Sequence, residues 1–282
     1  MTADADTSRI SPTAHYTGYV WWRNGLSYDA LRTPLGRALY AALAPANAVY
    51  RRVARRADLE QLLLARHRII DHRLAAAIEA GRVRQVVEIA GGLSARGVRM
   101  AARYRDRGLV YVEGDLPDMA EAKRARLARA GLLADNHRVV PLNALVDDGD
   151  HSLRTVAGRL LDPTAGTAIV TEGLTAYFAP DVLAGMWQRI AACLSAFPAG
   201  LYLADIILGS DAGPARRAFG RALGWFARGD VYLHFSGPDE CIQRLRACGF
   251  ATAELLHPAD FASAGVPEPD RGHIVRVIEA TT

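Results

Sequence analysis

The chain has 282 residues, half of them hydrophobic and 23% charged, with no uninterrupted apolar run of ~18 residues. That composition fits a soluble globular protein with room for one sizeable domain, and it excludes a membrane-spanning helix. The formal charge of +4 rests almost wholly on arginine, since Lys123 is the only lysine; Arg51, Arg52, Arg55 and Arg56 cluster without the interleaved aromatics of a nucleic-acid groove, so neither nucleic acid nor membrane is an expected partner.

Residues 1–10 are polar and lack the basic start and apolar core of a signal peptide, which points to a cytoplasmic protein. The stretch 11–24 is too aromatic for a disordered tail, yet it shows no clean helix or strand periodicity. Tyr16, Tyr19, Trp21, Trp22 and Arg23 are expected to contact a flat organic substrate as part of a lid, the other reading being an arm packed on the sheet. Candidate helices follow near 35–43 and 46–56, punctuated by Pro34 and Pro45, and residues 1–60 are taken as an N-terminal arm and helical cap.

A helix near 58–80 leads into a strand at 84–89. Alternation continues with helix 94–106, strand 109–113, helix 118–130, strand 138–142, helix 151–160, strand 167–171, helix 181–196 and strand 201–206. This order makes an α/β protein, a parallel sheet with helices on both faces, over 61–282. A helical insertion is expected near 208–230. A helix at 238–248 and strands at 251–256 and 273–279 close the chain, the two strands as an antiparallel hairpin. Cys193, Cys241 and Cys248 read as reduced thiols, and the histidines show no metal-ligand spacing, so no metal is expected.

The informative stretch is Val86-Val87-Glu88-Ile89-Ala90-Gly91-Gly92, a short buried strand stopped by a glycine turn. A second apolar strand ends in Asp115, and a carboxylate at a strand end suits a ribose diol. A dinucleotide fingerprint in this frame would need glycines where the chain has Ala90 and Ala95. Glu88 would repel a pyrophosphate, but it suits a cofactor carrying a sulfonium and an ammonium. S-adenosylmethionine therefore fits better than NAD.

Here the sequence resembles the leucine carboxyl methyltransferase family, including its tetracenomycin-type polyketide O-methyltransferase branch. The matching pieces are Arg84-Gln85-Val86-Val87-Glu88, then Tyr111 to Pro117 with Lys123, then Thr171-Glu172-Gly173-Leu174 with Tyr177-Phe178, and upstream Ala65 to Asp71. The chain departs from the family at Ala90-Gly91-Gly92 (usually Gly-Ala-Gly), at Ser94-Ala95 (Asp-Thr) and at Asn143 (Asp). The resemblance implies a seven-stranded Rossmann-like sheet and S-adenosylmethionine as cofactor. It implies Arg66 on the methionine carboxylate, Glu172 at the ammonium end, Asp115 on the ribose, and Asn143 with Ala144 at the adenine. Gly91 and Gly92 let backbone approach the methionine portion, and Glu88, Ala90 and Leu116 complete the cofactor-binding set.

The expected activity is O-methylation of a small molecule, with methyl esterification of a polyketide-like or other secondary-metabolite acid favoured. A carboxylate is already ionised at neutral pH and needs no base. The nearest alternative is a phenol or alcohol O-methyltransferase using His15, His234 or Tyr177 as base. An NAD-dependent oxidoreductase and a non-catalytic cofactor-binding protein are the rivals from other classes. Monomer and homodimer are both open.

Overall fold

The computed structural model describes residues 11–54, 57–209, 232–270 and 273–282. Helices α1 (Ser11–Arg23), α2 (Pro34–Ala54) and α3 (Leu59–Glu79) precede the first strand, β1 (Gln85–Ile89). Then come α4 (Arg96–Arg103), β2 (Val110–Asp115), α5 (Pro117–Arg129), β3 (His137–Pro141), α6 (Leu153–Leu160), β4 (Thr167–Thr171), α7 (Pro180–Leu194), β5 (Gly200–Ile207), α8 (Pro238–Ala247), β6 (Thr252–Leu256) and β7 (Val275–Thr281). The insertion expected at 208–230 falls almost wholly outside the described residues.

The seven strands form one sheet in the order β3-β2-β1-β4-β5-β7-β6, parallel except where β7 pairs antiparallel with β5 and β6. Every residue of β1 and β4 is buried, as expected of central strands covered on both faces. Trp187, Met186 and Ile190 of α7 and Val156 of α6 pack on one face. Ile69, Ile70 and Leu74 of α3 and Met100 of α4 pack on the other. The seven-stranded sheet and its terminal hairpin match the expectation.

Two expectations about the N-terminal region are corrected. The aromatic stretch is a regular helix, α1, although its sequence shows no single apolar stripe. It has none because two faces are covered: Tyr16, Val20 and Trp21 pack with Leu63 and Leu64 of α3, while Ala14 and Gly18 lie against Gly92 and Leu93. Likewise Pro45 does not divide the next region, and α2 runs unbroken through it. Proline removes one helical hydrogen bond, but Pro45 and Ala41 four residues earlier are both exposed, so water can take the freed carbonyl. No helix of the described residues is long and apolar enough to cross a membrane.

Candidate active site

The sheet order reverses between β1 and β4, so the carboxyl ends of β1, β2, β4 and β5 face one crevice, the usual ligand position of such sheets. The loop after β1 turns through Ala90 at φ +56° and Gly92 at φ +51°. A left-handed alanine is strained by about 1–2 kcal/mol, and its N–H is tied to the Gly114 carbonyl at 2.7 Å. At Gly92 a side chain is barred on two counts: the backbone is left-handed, and a Cβ would lie 3.0 Å from that of Ala14 on α1.

At the centre stands Arg96, the first residue of α4 and fully buried. Sequence reasoning missed it. Its Nε donates to Asp71 at 2.5 Å, Nη1 to Glu88 at 2.6 Å and Nη2 to Glu172 at 2.5 Å, joining α3, β1 and the end of β4 through one guanidinium. Burial alone would lower the pKa of Arg96, but Glu88, Glu172 and Asp71 outweigh it and hold the group charged. Glu88 also accepts from the Tyr111 hydroxyl at 2.8 Å, which occupies both of its oxygens. A buried glutamate inside a strand demands a cation, and that was the available signal.

Arg66 lies across the opposite wall. Its Nε donates to Glu172 Oε1 at 3.1 Å and Nη1 to Asp205 Oδ2 at 2.9 Å. Gly173, at φ +70°, leaves room for it, since a Cβ there would come within 2.6 Å of Arg66 Nη2. Glu172 also accepts from His67 Nδ1 at 2.8 Å. Burial pushes the Glu172 carboxyl up, but His67, Arg96 and Arg66 together hold it well below the usual carboxylate range. Each oxygen of Glu172 is thus committed inside the protein.

Asp115 ends β2 with Oδ2 accepting from Gly92 N–H at 2.9 Å and Oδ1 from Leu116 N–H at 2.8 Å. Its carboxylate fixes the glycine loop and does not cap α5, whose N-cap position is Leu116. Burial raises its pKa, partly offset by those two N–H bonds. Asn143 Oδ1 accepts from Leu145 N–H at 2.9 Å, and Ala144 is packed in the core beside Leu142 and Leu153.

Two cavities meet in the crevice. One, about 60 Å³, is walled by the glycine loop, Glu88, Glu172, Trp21, Thr13 and Thr17. The other, about 70 Å³, is apolar and lined by Tyr16, Leu59, Leu62, Leu63, Ile207 and Val275. Arg66, Gly173, Tyr177, Thr13 and Thr17 border both. A larger space of about 510 Å³ lies elsewhere, among Arg23, Asn24, Arg51 and Glu60, and shares no residue with the crevice.

The expected substrate contacts divide. Tyr16 and Trp21 reach the cavities, and Trp21 stacks on His67 with ring centres 4.2 Å apart. Tyr19, Trp22 and Arg23 border neither cavity. Tyr19 packs on Tyr40, Trp22 Nε1 donates to Asp29 at 2.7 Å, and exposed Arg23 pairs with Glu60. Of the three base candidates, Tyr177 alone borders both cavities. His15 Nδ1 faces Thr33 Oγ1 at 3.1 Å, and His234 Nε2 faces the Thr175 carbonyl at 3.0 Å.

A family model described as leucine carboxyl methyltransferase matches residues 26–191, more than half of the chain. The chain belongs to the leucine carboxyl methyltransferase family. A Mycolicibacterium vanbaalenii protein, provisionally named an S-adenosyl-L-methionine-dependent methyltransferase, is 35% identical over 229 residues, 78% of this chain and 71% of that protein. One of the same name from Mycolicibacterium gilvum is 36% identical over 119 residues, 42% of this chain and 36% of its own length. Among solved structures, a Streptomyces avermitilis DUF574 family protein superposes with TM-score 0.62 at 15% identity, covering 98% of both chains. The magnesium protoporphyrin IX methyltransferase of Synechocystis, solved with SAH bound, superposes with TM-score 0.53 at 12% identity, covering 98% of this chain and 99% of that one. At such identities the likeness establishes the family's methyltransferase fold.

Proposed function

We propose that the chain is an S-adenosylmethionine-dependent O-methyltransferase of small molecules that esterifies the carboxyl group of an apolar, polyketide-like or other secondary-metabolite acid. The cofactor fits the residues present. The glycine loop lets backbone approach closely, and the crevice wall is rich in carboxylates, which suits a sulfonium and an ammonium. Arg66 would hold the methionine carboxylate, Asp115 the ribose, and the Asn143–Ala144 segment the adenine. When bound, S-adenosylmethionine supplies an electrophilic methyl group.

The observation that carries the reading is the junction at Arg66 and Tyr177, where a cleft walled by Glu88, Glu172 and the glycine loop shares a wall with an apolar pocket. There the chain must place an acceptor and exclude water, and positioning alone can account for roughly 7–11 kcal/mol of a barrier. Among the described residues, the same junction lacks a usable base. Burial raises the Tyr177 phenol above its ordinary value of 10, against the opposing pull of Thr13 and Arg66, so it stays protonated at neutral pH. Glu88, Glu172 and Asp205 are each held by guanidinium groups. An acceptor that arrives ionised fits this site; an alcohol does not. Tyr177 then acts as a hydrogen-bond donor to the acceptor.

Both cavities are far below the ~300–1,000 Å³ of sites that enclose drug-sized ligands. Because α1 fills the crevice, ligand entry requires α1 to withdraw and productive binding returns it. The test is a panel of apolar aromatic and polyketide acids, each beside the alcohol or phenol of the same skeleton. Base-labile methyl esters from the acids alone are expected, and methyl ethers from the hydroxyl series would favour the alternative.

Asp115 gives a pH-dependent expectation. Protonation removes its charge and turns one of its two acceptor oxygens into a donor, which weakens the grip on a ribose diol, and its pKa is raised above the ordinary 3.8. Cofactor affinity should therefore fall on acidification with a midpoint above 3.8. Asp115→Ala should weaken binding about tenfold or more at pH 7, a charge-assisted hydrogen bond being worth ~1.5–3 kcal/mol, and should remove that acidic limb. Calorimetry across pH reads both effects. Unchanged affinity in a folded Asp115→Ala protein would confine this carboxylate to holding the loop.

A further inference from the structure

Thr13 carries a hydroxyl that the fold does not use. It is the third residue of α1 and borders both cavities at their junction, as Tyr177 does. Its Oγ1 is buried and makes no hydrogen bond of normal geometry. One turn further along, Thr17 behaves differently: its Oγ1 donates to the carbonyls of Thr13 and Ala14 at 3.0 and 3.2 Å. Thr17 thereby closes on its own helix, as threonines inside helices commonly do. Thr13 has no such outlet, because α1 begins at Ser11 and offers no helical carbonyl three or four positions back.

A buried hydroxyl without a partner costs stability, so it asks for a reason. The surroundings of Thr13 supply one. Thr13 is near enough to the Tyr177 phenol to pull its pKa down, although burial wins and keeps the phenol protonated. Two hydroxyls therefore stand side by side with no well-formed bond between them. A ligand oxygen placed at the junction can accept from both. On one side of it lies the apolar pocket of Leu62, Leu63 and Val275, and on the other the cleft walled by the glycine loop.

We propose that Thr13 is a substrate-binding residue, which together with Tyr177 holds the non-reacting oxygen of the acceptor carboxylate at the mouth of the apolar pocket; this rests on the esterification reading above. The second carboxylate oxygen stays free to face the methyl group of S-adenosylmethionine. That oxygen forms the bond to the methyl carbon while the carbon–sulfur bond breaks, the electron pair passes to sulfur, and no proton moves. A carboxylate accepts from both hydroxyls without having to donate, whereas an alcohol brings a proton of its own. Thr13 rides on α1 and Tyr177 on the segment after β4, so the pair is complete only when α1 is seated. The acid itself therefore helps to draw α1 back over the site.

The test is steady-state kinetics on the full-length protein, using the panel acid that wild type esterifies fastest, beside calorimetry with S-adenosylmethionine alone. Thr13→Val keeps the shape of the side chain and removes the hydroxyl. It should lower kcat/KM for that acid about 10- to 100-fold, the range for one charge-assisted hydrogen bond, while the cofactor Kd stays at its wild-type value. Thr13→Ser restores the hydroxyl and should recover most of the activity. Tyr177→Phe should cost a similar factor, and the double variant less than the product of the two losses, since both bonds end on one oxygen. Thermal melts confirm folding, and Thr13→Ala supplies a second hydroxyl-free protein should Thr13→Val melt early. Wild-type kcat/KM in the folded hydroxyl-free protein overturns the proposal. So does a Thr13→Ser protein no better than Thr13→Val, or a loss of cofactor affinity that accounts for the lost activity. A wild type that binds S-adenosylmethionine yet esterifies no acid overturns the esterification reading instead, and the role of Thr13 with it.

Discussion

Arg96→Met should lower stability at pH 7 by about 3–5 kcal/mol, a substantial share of the ~5–15 kcal/mol that folded domains possess. The side chain is fully buried, and removing its charge strands Asp71, Glu88 and Glu172 without their shared cation. A lost packing contact would have the same effect at every pH, but a lost cation does not. In wild type, Glu172 and Asp71 have folded pKa values below their ordinary 4.5 and 3.8. The stability they contribute is complete above those ordinary values and drains away as pH falls through the folded ones. In Arg96→Met, Glu172 keeps Arg66 and Asp71 keeps Arg99, but Glu88 loses its guanidinium and all three carboxylates are less well held than in wild type, so protonation costs less and acidification narrows the gap to wild type. Denaturant unfolding at pH 7 and pH 5 measures this. A gap that is equal at both values would reduce Arg96 to packing.

Removal of residues 1–24 should have the second large effect, on stability and on transfer alike. Trp21 is 3% exposed and stacked on His67, and Tyr16 and Val20 are equally enclosed against Leu63 and Leu64. Truncating one such aromatic to alanine costs ~3–5 kcal/mol, so α1 is structural as well as placed over the crevice. The truncated protein should melt lower and bind cofactor more weakly, since Trp21 covers the His67–Glu172 pair. Activity per folded molecule should also fall by orders of magnitude, because Thr13, Ala14 and Thr17 no longer shut water out. Melting, titration and rate are measured together at a temperature where the truncated protein is still folded. A truncated protein as stable as wild type would mean α1 is a lid alone, and full activity per folded molecule would mean it is an arm alone.

Much of the sheet was legible because central parallel strands are written as short β-branched runs, as in Val86-Val87 or Ala168-Ile169-Val170, each followed by a turn. Motif order singled out Asp115, Glu172 and Arg66, of which Arg66 and Glu172 border the cleft walled by the glycine loop and Asp115 holds that loop. Less visible was what holds them. Arg66 and Glu172 lie 106 positions apart, and only the sheet order brings α3 and the end of β4 together. Arg96 stands among surface-type arginines in a chain full of them, so its residue type carries no signal; Glu88 buried inside β1 does. The helix α1 escaped notice because its two covered faces use Thr13, Ala14, Thr17 and Gly18 on one side and Tyr16, Val20 and Trp21 on the other. Small residues chosen for close backbone approach leave no hydrophobic period to read.

On the reading proposed here, the crevice beyond β1, β2 and β4 holds S-adenosylmethionine. Isothermal titration of the full-length protein with S-adenosylmethionine, and separately with NAD, tests it most directly. Micromolar binding of S-adenosylmethionine, weakened by Asp115→Ala and absent for NAD, is the expected result. NAD binding without S-adenosylmethionine binding would contradict the account.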